Sequence, residues 1–136
     1  FADAAPPDDE TSRLAALGRS LETDPATPLR RYTPEGFDPD SVIDCRAVLQ
    51  QGFRQTDISS LPPLFRPAKG MLGLTDYEKT FCPDLKNGPD LYDLRKINKE
   101  EGCIVIVRPD QYVAEILPLD GFDELSAFFD RILLPA

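Results

Sequence analysis

The chain has 136 residues, in which 24 acidic side chains outnumber 15 basic ones, so its net charge is −9. Such a surface repels nucleic acid and anionic membranes, and neither is expected as a partner. Histidine is absent, which excludes histidine-dependent triads and most transition-metal sites. We therefore predict one domain over residues 1–136, with no catalytic, cofactor-binding or metal-binding residue of its own.

The cysteines and the start of the chain bear on its compartment. Cys45, Cys82 and Cys103 form no C-x-x-C pair, which argues against a dithiol redox centre and a cysteine zinc site. No basic stretch precedes an apolar segment, and the longest apolar run, 103–107, is too short to span a membrane. We expect a soluble, cytoplasmic protein. The start at Phe1 indicates processing or a fragment of a larger protein.

A first helix is predicted over about residues 9–22, because leucines recur there at helical spacing. Thr11 or Ser12 is its candidate N-cap, and Pro25 follows its end. Residues 1–2 are interpreted as the end of a strand that begins before this chain starts. The leucines of the helix are Leu14, Leu17 and Leu21.

The middle of the chain is dominated by turn signals. Prolines predict a loop over residues 23–40, and the β-branched stretch 41–50 favours a buried strand over a helix. Residues 51–101 show poor periodicity and are interpreted as a long ordered excursion or a surface that covers a partner. Its apolar side chains are too many for a free linker, so we expect them to be packed. They are Leu61, Leu64, Phe65, Met71, Leu72, Leu74, Tyr77 and Phe81.

A β-hairpin is predicted in the last third of the chain. Residues 103–107 are strongly β-forming, and residues 112–117 alternate in polarity. Between them, a proline at the second position and an aspartate at the third form a turn signal. We expect Arg108 to pair locally in this turn, and docking of the turn on another domain is a compatible alternative.

A final helix is predicted from a cap at Asp120 to about Leu134, with Pro135 as its stop. The adjacent Phe128 and Phe129 cannot face the same side of a helix, so they are candidate interface residues for a second subunit or another domain. Packing in the core is an equal alternative for Phe129. The apolar stripe comprises Phe122, Leu125, Phe128, Phe129, Ile132 and Leu133.

The predicted order is (β)αβ, a long insertion, and ββα. The economical arrangement is an α/β fold with one central mixed sheet and helices packed on it. This order is that of the thioredoxin fold.

The chain resembles the C-terminal domain of FAD-dependent phenol hydroxylases and their 3-hydroxybenzoate hydroxylase relatives. The most specific part is residues 102–114, followed by residues 117–120 and the phenylalanine-rich helix. Within it, the family-signature hairpin comprises Arg108, Pro109, Asp110, Gln111 and Tyr112. Upstream agreement covers residues 32–34, 40–44, 61–62, 73–79, 81 and 90–93.

The resemblance implies a thioredoxin-like domain associated with dimerisation of a flavin monooxygenase. Such enzymes use FAD, NADPH and oxygen to hydroxylate an aromatic ring, and their FAD and substrate domains lie N-terminal in the same polypeptide. No G-x-G-x-x-G motif occurs in this chain, so FAD is expected in the parent only. The parent is expected to be a homodimeric phenol 2-monooxygenase-type hydroxylase. The resemblance also implies a glycine near Lys96.

An alternative hypothesis is a stand-alone thioredoxin-class redox or peroxidase-like protein. Residues 80–83 resemble the peroxidatic motif of peroxiredoxins, and Lys79 is close enough in sequence to activate the Cys82 thiol. A structural cysteine is the favoured interpretation. A regulatory binding module that acts on another enzyme is a weaker third option.

Overall fold

The computed structural model describes residues 1–84 and 86–134, so the predicted stop at Pro135 lies outside the described residues. The described chain consists of short helices, short strands and several 3-10 turns. The helices are α1 (Arg13–Thr23), α2 (Pro28–Tyr32), α3 (Leu91–Arg95) and α4 (Phe122–Asp130). The strands are β1 (Ala47–Val48), β2 (Ala68–Lys69), β3 (Leu74–Thr75), β4 (Thr80–Phe81), β5 (Ile104–Val107) and β6 (Val113–Leu117).

Helix α1 confirms the predicted first helix, although it begins later than residue 9. The Ser12 side chain accepts a hydrogen bond from the Ala15 amide, as an N-cap does. The Asp3 carboxylate accepts two more, from the amides of Arg13 at 3.1 Å and Leu14 at 3.2 Å. Since Asp3 lies ten residues upstream, local pattern reasoning does not find this second cap. The predicted leucines Leu14, Leu17 and Leu21 are all buried.

The strands form three two-stranded pairs among the described residues, where one central mixed sheet was expected. β1 pairs with β4 in parallel, β2 pairs with β3 and β5 pairs with β6, both antiparallel. The start of the chain connects two of these pairs. The Ala2 amide donates to the Val48 carbonyl at 2.8 Å, and Phe1 and Cys103 exchange two backbone bonds of 3.0 Å. This segment is too short to build a regular ladder, but it lies as a strand would between β1 and β5.

Gly102 permits this close approach. Its φ is +64°, and an added Cβ would lie 2.5 Å from the Phe1 carbonyl oxygen and 2.7 Å from the Asp3 nitrogen. Only glycine avoids both the left-handed backbone cost and the clash. Residue 102, shortly before β5, is therefore required to be glycine because residues 1–3 pass so close to it.

The excursion over residues 51–101 contains β2, β3, β4 and α3, none of which was predicted individually. The expectation that its apolar side chains are packed is confirmed for Leu61 and Phe65, which are buried. After residue 70 the apolar side chains are exposed in the single chain, so for this segment the alternative of a surface that covers a partner stays a prediction. The exposed side chains there are Met71, Leu72, Leu74, Tyr77 and Phe81.

Two other local predictions are corrected. Residues 23–40 were expected to be a loop but contain α2, which begins with a proline at its first turn, where its missing amide costs nothing. The strand expected over residues 41–50 is only the two residues of β1.

The predicted hairpin is confirmed as β5 and β6, with an irregularity in register between Ile106 and Val107. Helix α4 is shorter than predicted and ends at Asp130; its N-cap is Gly121 rather than Asp120. The Asp120 carbonyl instead accepts a bond from the Phe122 amide. The core joins α1, α2, β1 and α4, and partly buried side chains of the β5–β6 hairpin pack against it. Its buried members include Leu14, Leu17, Leu29, Leu49, Leu61, Phe65, Leu119 and Leu125.

Candidate association surface

A small β-hairpin projects from the excursion. β2 and β3 are joined by residues 70–73, with Gly70 at φ +67° and Gly73 at φ +61°. These left-handed positions favour glycine and allow the tight reversal. A Cβ added at either glycine would meet no atom within 4 Å, so the space around the turn is open.

The tip of this hairpin is apolar and fully accessible. Met71 is completely exposed and Leu72 is 83% exposed. Leu74, Tyr77 and Phe81 are also exposed large apolar side chains. We call these five side chains the apolar patch. Exposed apolar side chains clustered in sequence in this way mark a candidate protein association site. The sequence signal that marks the tip is an apolar dipeptide between two glycines.

A cleft lies beside the hairpin. Its volume is about 230 Å³, and Ala68 and Lys69 of β2 line it, so cleft and hairpin share a strand. Charged groups at the cleft include Asp38, Asp40 and Lys69. The apolar part of its lining comprises Leu29, Pro39, Cys45, Pro63, Leu64 and Pro67.

The charges beside the cleft are paired with one another. Lys69 contacts Asp38 at 2.6 Å and Asp40 at 2.7 Å, and Lys79 contacts Asp40 at 2.6 Å and Asp44 at 2.5 Å. Burial alone would raise the pKa of Asp40, but the hydrogen bonds from the two lysines outweigh it and hold that pKa well below its usual range. The cluster fastens residues 38–44 to the base of the hairpin and leaves an apolar cleft with compensated charges.

The family-signature hairpin forms the turn between β5 and β6. The Arg108 guanidinium pairs with Asp110 at 2.7 Å, and the Gln111 amide donates to the Arg108 carbonyl at 2.8 Å. Gln111 has φ +69°, and Tyr112 is exposed. The local pairing of Arg108 is confirmed, while docking of this turn on another domain stays a prediction.

Phe128 and Phe129 contact each other edge to face, with ring centroids 5.3 Å apart. Phe129 packs against the core, and the Arg131 guanidinium lies over the Phe128 ring at 5.6 Å. Both rings are half-buried. Their role as interface residues stays a prediction.

The thiols lack an activating environment. Burial raises the pKa of Cys45 to about 12 and also raises that of Cys103. The Cys82 sulfur lies 3.8 Å from the Thr56 hydroxyl. The ammonium group of Lys79, which is close to Cys82 in sequence, contacts two aspartates.

Across residues 1–84 and 86–134, no group of three or more cysteine, aspartate or glutamate side chains is arranged to hold a metal ion. No helix in this part of the chain is long and apolar enough to cross a membrane.

Comparison with known proteins gives a family. The family model described as the C-terminal dimerisation domain of phenol hydroxylase matches residues 1–136. A 3-hydroxybenzoate 4-monooxygenase of Comamonas testosteroni is 51% identical over 123 residues, which are 90% of this chain and 19% of that protein. An FAD-dependent monooxygenase of Aspergillus terreus is 34% identical over 126 residues, covering 90% of this chain and 20% of its own length. The chain thus spans about a fifth of these relatives.

Proposed function

Because the chain belongs to the family of phenol hydroxylase C-terminal dimerisation domains, we propose that it joins two copies of a flavin-dependent aromatic monooxygenase into a homodimer. The observation that carries this proposal is the match of the family model over the whole chain. The apolar patch beside a charge-compensated cleft supports it, since association surfaces combine an apolar centre with a polar rim. In this proposal the domain contributes no reacting group.

We propose further that the parent is a cytoplasmic phenol 2-monooxygenase-type hydroxylase. It would use FAD, with NADPH as co-substrate, and its FAD and substrate domains would lie in the same polypeptide. The support is that its relatives carry monooxygenase names and extend far beyond the region shared with this chain. The three cysteines are free thiols, which suits a reducing compartment.

We also propose that residues 1–136 are a single thioredoxin-like domain, with residues 51–101 inserted between its halves. The bonds of Ala2 to β1 and of Phe1 to Cys103 support a strand between β1 and β5. An experimental structure of a longer chain tests this. Residues preceding Phe1 should continue that strand, and a path leading away from β1 and β5 would refute the topology.

The assembly role is tested on the full-length protein, with and without residues 1–136. Sedimentation equilibrium should give a dimer for the complete protein and a monomer that still binds FAD for the truncated one. Retained FAD absorbance shows that the flavin domain is folded. A truncated protein that dimerises as tightly as the complete one would contradict the proposal.

The alternative of a stand-alone redox protein using Cys82 is not favoured. The relatives have monooxygenase names, and Lys79 is committed to Asp40 and Asp44 rather than to the thiol.

A further inference from the structure

The hairpin tip and the cleft belong to the same surface, and we propose that they recognise each other across the dimer. Met71 and Leu72 of each copy insert into the cleft of the other copy, so that two tips are exchanged around a two-fold axis. This rests on the proposed dimerisation function and assigns the surface that performs it.

The first argument is the exposure of the tip. Met71 and Leu72 are the most accessible part of an apolar patch that lies within eleven residues of chain. Taking about 150–200 Å² for a large side chain and weighting each of the five by its exposed fraction, the patch presents roughly 500–700 Å² of side-chain surface. That is close to the ~800 Å² per partner of a standard protein interface. Anchor residues of such interfaces are large side chains that fill pockets on the partner.

The second argument is that the chain supplies a matching pocket. The cleft has a volume of about 230 Å³. A cavity of about 150 Å³ already accepts a benzene ring, so this cleft is large enough for a leucine or methionine side chain. Because β2 belongs to both the hairpin and the cleft, tip and pocket are neighbours. A two-fold axis beside β2 can therefore satisfy both pockets at once, as an isologous interface requires.

The third argument is charge. Two copies that each carry −9 must meet where acidic side chains are absent or paired. Residues 66–75, which form the tip and its strands, contain no aspartate or glutamate, and Asp76 and Glu78 follow them. At the cleft, Asp38 and Asp40 contact Lys69, and the third acidic residue, Glu22, lines the cleft together with Arg30.

Strand β6 is the competing surface, because its pairing is described on one side only, to β5. A two-fold antiparallel pairing of two β6 strands about their centre would place Glu115 opposite Glu115 of the other copy. Like charges directly opposite each other destabilise such a pair. The hairpin tip therefore suits self-association better than this strand.

The first test is Leu72→Asp in the full-length protein, with Phe53→Asp as the matched control. Phe53 is also largely exposed, at 71%, but lies outside the patch and the cleft. Sedimentation equilibrium should show the dimer dissociation constant of Leu72→Asp raised at least 100-fold, and that of Phe53→Asp changed less than threefold. Unchanged circular dichroism and FAD content exclude misfolding.

Each outcome of this test has one meaning. A dimer that resists Leu72→Asp refutes tip exchange and leaves the dimerisation function intact. A wild-type protein that is monomeric at all concentrations refutes the dimerisation function itself.

A covalent test is independent of how much either substitution weakens the dimer. Glu22 lines the cleft, so the double variant Glu22→Cys/Leu72→Cys should form a disulfide-linked dimer on mild oxidation. Because the native Cys45 also lines the cleft and is a free thiol, all these variants carry Cys45→Ser, and in that background each single variant should form no bridge. A bridge within one chain, or no bridge in a protein that is still dimeric, would overturn the proposal.

Discussion

The hydroxyl of Tyr92 lies 2.8 Å from the carbonyl oxygen of Val48, and 3.0 Å from that of Ala2. Through this one group, helix α3 is fastened to β1 and to the segment beside it. The ring is buried and contacts Phe1 edge to face at 5.6 Å. Burial raises the pKa of Tyr92, so the group stays protonated and able to donate at all physiological pH values.

Tyr92→Phe should lower the free energy of unfolding by about 1 kcal/mol, the usual net contribution of a hydrogen bond. The loss stays moderate because both carbonyls keep another donor, the Ala2 amide for Val48 and the Gln50 side chain for Ala2. Urea denaturation measures it. Tyr112→Phe is the control, since the exposed Tyr112 ring should tolerate the change. Equal stability of the two variants would show that the Tyr92 bonds contribute nothing net.

Gly102→Ala should destabilise the domain by about 3 kcal/mol, because steric overlap adds to the backbone cost. The matched control is Gly73→Ala, which has nearly the same positive φ but open space around it. Its cost should be about 1 kcal/mol, from the backbone alone. Thermal unfolding measures both losses of stability. Their difference gives the cost of the steric clash, apart from the cost of the left-handed backbone. Similar losses in both would mean that residues 1–3 shift easily away from Gly102.

The aspartate and lysine cluster predicts an acid-sensitive component of stability. The folded pKa of Asp40 lies below its ordinary value of 3.8, so the unfolded chain binds more protons in this range. The stabilisation of the folded state by the Asp40 ion pairs is therefore fully present above about pH 4. This stabilisation is lost as the pH falls from there through the pKa of Asp40 in the folded state.

Asp40→Asn should lower the free energy of unfolding by about 1–3 kcal/mol at pH 6, the range for hydrogen bonds to charged groups. It should also flatten the decline below pH 4. Denaturation midpoints between pH 2 and pH 6 measure both effects, with the exposed Asp8→Asn as the control. If the stability of Asp40→Asn falls with decreasing pH as steeply as that of the wild type, Asp40 is not the source of the acid sensitivity.

Lys96→Gly should stabilise the domain by about 0.5–1 kcal/mol. Lys96 ends α3 at φ +57°, and its amide bonds to the Asp93 and Tyr92 carbonyls, a position where glycine is the preferred residue. This explains the glycine expected near residue 96 from the family resemblance. Arg95→Gly, at the last residue of α3, should have the opposite sign, at a cost below the ~1 kcal/mol of a glycine in a helix interior. A loss of stability in both variants would contradict this account of the turn.

Local patterns predicted the parts of the fold that are determined locally. The leucine spacing of α1 and the turn signal between β5 and β6 need only neighbours in sequence, and both elements are present. The Asp3 cap on α1 and the Tyr92 bonds to Val48 join distant parts of the chain. No periodicity encodes them, so they could not be predicted.

The candidate association surface could be predicted only in outline, for a related reason. The poor periodicity of residues 51–101 is compatible with a partner-covering surface, but it does not indicate which apolar side chains form that surface. Sequence alone cannot separate the buried Leu61 from the exposed Leu72. That distinction requires the backbone turn of the hairpin and the position of the cleft.

The clamped start of the chain has a mechanical consequence. Residues 1–3 are held by β1 on one side, by Cys103 on the other, and by α1 through the Asp3 carboxylate. Tension transmitted along the polypeptide to Phe1 would thus load several bonds together, whereas a terminal strand at a sheet edge can be peeled away one bond at a time. A force applied at Phe1 would therefore act on the centre of this fold rather than on its edge.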